Sequence, residues 1–278
     1  MSTFNKKTGY KMATREVGYR GTKFSPYCFQ RQLRDKKDDG VTDTLEEMKN
    51  CVVKQITFKE AQNFILEFEW LGTMGTTKFS YGVFTNDRLT AVYCFGLTAG
   101  TAALSQVFGE ENKKRGLVLV RGACAPWAYR NMSSFGMGKV LPALHKERDI
   151  DYLIAYSDPE AGEIGTVYQA TNWNFYGMTA PVNYLVRPDG KRSDPKLISK
   201  YAKKKNITYA EQKQLFVDEG YTFERGSPKL KYFKIIGNKT IRKELTKQLK
   251  VPVYKYLKRM DNMEDLYGVF KAQIKNSK

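Results

Sequence analysis

The sequence predicts an α/β fold, with a mixed central sheet flanked by helices and a basic C-terminal extension. Short strand-like apolar runs alternate with helically spaced segments between residues 52 and 187. Of the 278 residues, 41% are hydrophobic and 13% aromatic, which supports a packed core and excludes wholesale disorder. Past Pro188 the texture changes, and lysine-rich segments replace the apolar runs.

Taken in order, residues 1–50 show no clean period, and Asp35–Gly40 reads as a charged loop in a basic, partly flexible arm. Val52 opens a short strand. Ala61, Phe64, Ile65 and Phe68 then recur on one helical face. Two strand-like runs joined by Asn86-Asp87 give a hairpin signal. A short helix or loop follows, and then an apolar strand opening at Leu117. The next helix takes Ser133 and Ser134 as candidate caps, turns Val140, Leu141 and Leu144 inward, and carries Pro142 as a kink point. Tyr152–Ser157 reads as a buried strand, then a short helix through Tyr168, then one or two strands up to Arg187. Beyond lie two short helices, the first capped at Asp194-Pro195, a strand at LKYFKIIG, a basic helix and an extended tail. The expected organisation is an arm at 1–50, a core at 51–187 and an extension at 188–278 that packs against that core and binds nucleic acid.

Charge sharpens this division. The 47 Lys+Arg and 29 Asp+Glu leave +18. Residues 187–278 hold 24 basic and 10 acidic side chains, or +14; residues 1–40 hold 10 and 4, or +6; residues 41–186 hold 13 and 15, or −2. A field of this kind attracts polyanions, of which nucleic acid is the commonest. No apolar run reaches the ~18–20 residues of a membrane span, and the N-terminus lacks the apolar stretch of a secretory signal. The cysteines at 28, 51, 94 and 124 form no C-x-x-C pair, and His145 is the one histidine, which argues against structural zinc or a histidine-dependent triad.

Two segments carry candidate chemistry. In RGACAPWAYRNMSSFGMGK, a strand runs through a loop into a helix that starts with small residues, where backbone N–H groups can receive an anion. Arg121, Arg130, Ser134, Gly136, Gly138 and Lys139 are the candidate residues for a phosphate-bearing donor. The second segment, YSDPEAGEIGTVYQATNW, puts Asp158 directly after a buried strand. Tyr168 lies ten residues on and Asn172 four further, on the same helical face. A carboxylate and a phenol facing one cleft can serve as acid, base or hard-metal ligands. The competing interpretation is structural: Asp158 caps the following turn and Tyr168 packs in the core.

The first segment is similar to the central part of the GNAT acetyltransferases, where coenzyme A pyrophosphate rests on a Q/R-x-x-G-x-G/A loop; here Arg130 is six residues before Gly136. The second resembles the Mom family of phage DNA-modification proteins through Tyr156, Asp158, Gly162, Gly165, Thr166, Val167, Tyr168, Ala170, Thr171, Asn172 and Trp173. Arg121, Pro126, Asn131, Ser134 and Lys139 match the upstream block. The resemblance covers about 52–187 and implies a GNAT-like fold and transfer of a carbamoylmethyl group to adenine N6, which masks phage DNA from restriction. Two departures stand out. Glu163 replaces a frequent histidine between the glycines, and Glu69-Trp70 replaces a His-Tyr pair implicated in iron binding or catalysis.

The resemblance implies Asp158, Tyr168 and Glu69 as catalytic groups. Asn172 would read the adenine edge, with Trp173, Trp70 and Trp127 as candidates to stack on a flipped base. It further implies an acyl-CoA or other small phosphate-bearing donor, iron by family likeness, duplex DNA as partner and the cytoplasm of an infected cell as location. The alternatives are an acetyl-CoA-dependent N-acetyltransferase acting on a protein, nucleoside or small amine, and a non-enzymatic DNA-binding protein on an acetyltransferase scaffold.

Overall fold

A computed structural model describes residues 4–5, 10–11, 30, 42–97, 102–181, 183–190, 192–193 and 195–276. Most of the expected basic arm, its Asp35–Gly40 loop and the Asp194 cap lie outside them.

The first described helix, α1 (Leu45–Lys49), and the helix after strand β1 (Val52–Ile56), α2 (Phe58–Phe68), each start at a capping box. Thr57 and Glu60 exchange side-chain-to-backbone bonds at the start of α2. Ala61, Phe64 and Ile65 are buried, as their spacing predicts. Strands β2 (Thr77–Thr85) and β3 (Arg88–Gly96) form the expected hairpin. Its two-residue turn needs left-handed backbone, and Asn86 and Asp87 supply it with φ of 47° and 61°. After α3 (Ala102–Phe108) come β4 (Gly116–Cys124), α4 (Met132–Arg148), β5 (Tyr152–Ser157), α5 (Thr166–Ala170) and β6 (Asn174–Met178). Helix α4 is assigned continuously through Pro142, which is exposed. Its N-cap is Asn131, so Ser133 and Ser134 lie inside the first turn rather than capping it.

A small insertion follows: β7 (Asn183–Val186), β8 (Arg192–Ser193), α6 (Lys196–Lys205), α7 (Tyr209–Asp218) and β9 (Thr222–Arg225). Then come β10 (Leu230–Ile235), α8 (Lys239–Lys247) and α9 (Leu266–Lys275).

Two compact units result, one of residues 1–178 and 230–278, the other of 179–229. In the larger unit a seven-stranded sheet runs β1-β2-β3-β4-β5-β10-β6, with β4 and β5 parallel and all other neighbours antiparallel. This is the mixed sheet with flanking helices that the sequence predicts. In the smaller unit β7 lies between β8 and β9, and Leu185, Ile198 and Phe216 form the core.

The expected boundary at 187/188 is corrected by β10. This strand inserts between β5 and β6, pairing over Leu230↔Ser157 to Ile235↔Tyr152. The reason lies in β5, where five of six residues are buried; a strand so apolar needs partners along both edges. Leu257, Met263, Leu266 and Phe270 also join the main core. The last 49 residues therefore complete the core fold instead of extending from it. Among the described residues no helix is long and apolar enough to cross a membrane.

Candidate functional site

Glu69 follows the last turn of α2 and is 7% exposed. It is held from several sides. Gly72 N–H donates to its Oε2 at 2.9 Å. The Gln30 amide clamps the flanking backbone, donating to the Phe68 carbonyl at 2.5 Å and accepting from Trp70 N–H at 3.0 Å. Burial pushes the Glu69 pKa up to about 7; nearby Arg121 opposes this, nearby Glu163 adds to it, and the N–H groups of Gly72 and Leu71 oppose it. A carboxyl poised near neutrality, inside a protein and beside an arginine, can both take and return a proton.

Trp70 Nε1 donates to Glu163 Oε1 at 3.0 Å. Two of the three residues that depart from the resembled family, Trp70 and Glu163, thus contact each other across 93 positions of sequence, and they latch the Glu69 segment to the Asp158–Tyr168 segment. Tyr168 belongs to the same electrostatic group. It is half-buried, and burial drives its phenol pKa well above the ordinary value; Glu163 and Tyr232 add to that, Arg121 opposes it and Glu69 adds to it. Tyr168 therefore stays protonated at neutral pH, is not a base there, and can donate a hydrogen bond from its hydroxyl. Asp158 caps a turn: its Oδ1 accepts from Glu160 N–H at 3.1 Å, and its carbonyl accepts from Ala161 and Glu163. It is half-buried at the C-terminal end of β5.

The motif's glycines and its final residues have structural causes. Gly165 has φ +72°, and a Cβ there would meet the Tyr232 ring at 2.5 Å. Tyr232 on β10 in turn donates to the Ile164 carbonyl at 2.6 Å. Helix α5 ends in a Schellman motif: Trp173 N–H reaches the Tyr168 carbonyl at 2.9 Å, and Asn172 N–H reaches that of Gln169 at 3.1 Å. Asn172 has φ +56°, and the Tyr168 and Trp173 rings make the accompanying apolar contact at 5.1 Å. Asn172 is thus a left-handed cap beyond the helix and does not share a helical face with Tyr168. The tail laces over this loop. Tyr256 Oη donates to the Trp173 carbonyl at 2.6 Å, Gln169 Nε2 to that of Leu257 at 3.4 Å, and Arg259 to that of Gly162 at 2.7 Å.

Of the three tryptophans expected as candidates to stack on a flipped base, Trp173 is fully buried, Trp70 is 7% exposed, and Trp127 is half-buried with the Arg88 guanidinium 3.6 Å over its ring. Arg121 donates to the Thr73 carbonyl and hydroxyl at 2.5 Å each and to the Val120 carbonyl at 2.6 Å. Its positive charge lies near enough to Glu69 to lower that carboxyl's pKa. Lys139 lies in the second turn of α4 and donates to the Lys49 and Cys51 carbonyls at 2.8 and 3.1 Å. Gly136 faces inward, where a Cβ would meet Tyr93 Oη at 3.0 Å. Ser134 Oγ donates to the Asn131 carbonyl at 3.2 Å. Arg130 and Gly138 are exposed at that loop, and Ser134 and Lys139 are half-buried.

The iron expectation is also corrected. No group of three or more His, Cys, Asp or Glu that could hold a metal is found among the described residues. The chemistry agrees, because Trp70 donates a hydrogen bond where a ligand would have to give a lone pair, and Arg121 already supplies positive charge beside Glu69.

The profile of the Mom protein family matches residues 50–258, about three-quarters of the chain. The chain belongs to the Mom protein family. Its Mom motif runs through β5, α5 and the loop braced by β10, all inside the matched range. No match was found among the curated proteins. Among solved structures, the chain is similar to an N-acetyltransferase from Staphylococcus aureus Mu50, at 9% identity and TM-score 0.36, over 68% of this chain and 99% of that one. It is also similar to an aminoglycoside N(6')acetyltransferase from Legionella pneumophila, at 8% identity and TM-score 0.38, over 70% and 95%.

Proposed function

We propose that the chain is a DNA-modifying transferase of the Mom type, which moves a small acyl-derived carbamoylmethyl group onto N6 of adenine in phage DNA and masks it from restriction. The observation that carries this reading is the buried carboxyl of Glu69, with a pKa of about 7, gathered with Arg121, Glu163 and Tyr168 at the motif of a Mom-family chain. Ionised Glu69 accepts a proton from the exocyclic amine as the nitrogen bonds to the transferred carbon and the donor's carrier departs. Protonated Tyr168 donates a hydrogen bond to the charge that develops on the transferred group or the carrier. Asp158, at the strand end, orients the amine. A carbamoylmethyl product requires a phosphate-bearing carrier that leaves from the methylene carbon, whereas an acyl-CoA would pass its carbonyl carbon and leave an N-acyl adenine; in either case Arg130, exposed at the start of α4, is the side chain to meet the carrier's phosphates. The reading places the protein with DNA in the cytoplasm of an infected cell.

Mass spectrometry of nucleosides from cells expressing the chain tests this. A mass-shifted deoxyadenosine is expected. Unmodified DNA together with acetyl-CoA turnover on a protein or small amine would instead establish an ordinary N-acetyltransferase. Neither activity would leave a DNA-binding protein on a transferase scaffold.

A further inference from the structure

The smaller unit, residues 179–229, contains 11 Lys+Arg and 6 Asp+Glu, a net +5. Five of those basic residues are Lys196, Lys200, Lys203, Lys204 and Lys205, all on α6, which has no acidic residue. Without α6 the unit holds six basic and six acidic side chains and is balanced. Its whole net charge therefore sits on one ten-residue helix.

The helix also sorts that charge to one side. Ile198 and Ala202 are its buried residues and face the unit's core with Leu185 and Phe216. At about 100° per residue, Lys196, Lys200, Lys203 and Lys204 fall within an arc of roughly 100° centred opposite that stripe. All four are exposed. Lys196, Lys200 and Lys204 succeed one another at about 6 Å along the axis. The neighbouring helix α7 carries Glu211, Asp218 and a single lysine, Lys213, which stands 4.9 Å over the Phe223 ring. Away from α6, Arg192 pairs with Glu224 at 2.7 Å. A lysine row with no acid on its own helix repels itself, and it gains most from a polyanion whose charges are also in a row.

We infer that the outer face of α6 is a phosphate-backbone contact for duplex DNA, holding the substrate by charge and independently of sequence. This deepens the DNA reading above and rests on it. Lysines placed on phosphates release counterions, so each contact adds about 0.9 to the slope of log affinity against log salt.

The test uses the full chain and a 30-base-pair duplex, with affinity measured from 50 to 200 mM salt. The variant is Lys200→Gln/Lys203→Gln/Lys204→Gln, at exposed positions where glutamine keeps helix propensity. The control is Lys239→Gln/Lys243→Gln/Lys247→Gln, three exposed lysines on α8 that remove equal charge from the larger unit. We expect the α6 variant to lose about 2.7 from the slope, so that wild-type affinity falls about 40-fold more than the variant's across that range. The α8 control should keep most of the wild-type slope. An unchanged slope in the α6 variant, or equal losses in variant and control, overturns the inference in favour of a diffuse field. Absence of duplex binding by the wild type at 50 mM overturns it as well. Nucleoside mass spectrometry on the same proteins decides the underlying reading separately, since modified adenine with an unchanged slope rejects the α6 contact alone.

Discussion

Glu163 lies close enough to Glu69 to add to the rise in its pKa. Glu69 is pushed up to about 7 in the fold, while an unfolded glutamate titrates near 4.5. A raised acid stabilises the fold fully below the unfolded value, and this stability is lost as pH climbs to the folded one. The loss between about pH 4.5 and 7 amounts to roughly 3 kcal/mol at most. Glu69→Gln should therefore raise the melting temperature at pH 8 relative to wild type and leave it nearly level at pH 4, as thermal unfolding at the two pH values will show. If Glu69 is the base, the modification rate should rise with pH towards a plateau above about 7, and Glu69→Gln should remove at least ~10²-fold. Glu163→Gln keeps an oxygen for Trp70 Nε1 but removes the like charge, so the acid limb of that profile should move to lower pH. A limb that stays in place separates Glu163 from the titration. Asp158→Asn retains the turn cap and Tyr168→Phe retains the ring, so both should stay folded. Each should cost at least ~10²-fold in rate, and the pair less than the product. Near wild-type modification by both would leave Asp158 as a cap and Tyr168 as packing.

Helix α5 and its loop show how a functional motif can also be a folding instruction. Thr171, Asn172 and Trp173 end the helix by the Schellman pattern, and Asn172 holds φ +56°. Asn172→Gly should therefore be tolerated, and Asn172→Ala should cost about 1–2 kcal/mol in denaturant unfolding. If Asn172 also reads adenine, both variants will lose activity regardless of stability, so the two assays together separate cap from reader. Gly165→Ala meets two penalties, a left-handed backbone and the Tyr232 ring at 2.5 Å. It should cost roughly 2–5 kcal/mol. Much of this was legible along the chain. The Asn86-Asp87 turn, the one-faced helix at 58–68 and the apolar strand at 152–157 all follow from short-range pattern. The T-x-x-E boxes at Thr44, Thr57 and Thr208 were equally readable as helix starts. Ser133 and Ser134 look like caps in the sequence and lie inside α4 because small residues suit both a cap and a first turn.

For the whole molecule, the consequence of β10 is that the C-terminal segment cannot be removed as a module. A chain ending at Pro188 loses the strand between β5 and β6, Tyr232 beneath the motif loop and the Tyr256–Arg259 lacing. Such a truncation should fail to give a cooperative unfolding transition. Deleting 180–228 with a short linker should leave one, since the smaller unit forms its own sheet and core. Circular dichroism melts of the two proteins check both outcomes. The helices α1 and α9 and the short strands β8 and β9 carry no clear period. The sequence by itself determined the α/β class, the main strands and helices between residues 52 and 247, the basic character of the C-terminal third and the motif around Asp158 and Tyr168. These depend on periodicity, turn chemistry and composition, all expressed within a few residues. Only the tertiary structure decided that Trp70 meets Glu163, that Arg121 lies near enough to Glu69 to lower its pKa, and that a strand from residue 230 onward joins the central sheet between β5 and β6. Each of those joins residues some 50 to 100 positions apart, and local pattern carries no record of which distant group will neutralise a buried charge or cover a strand's open edge.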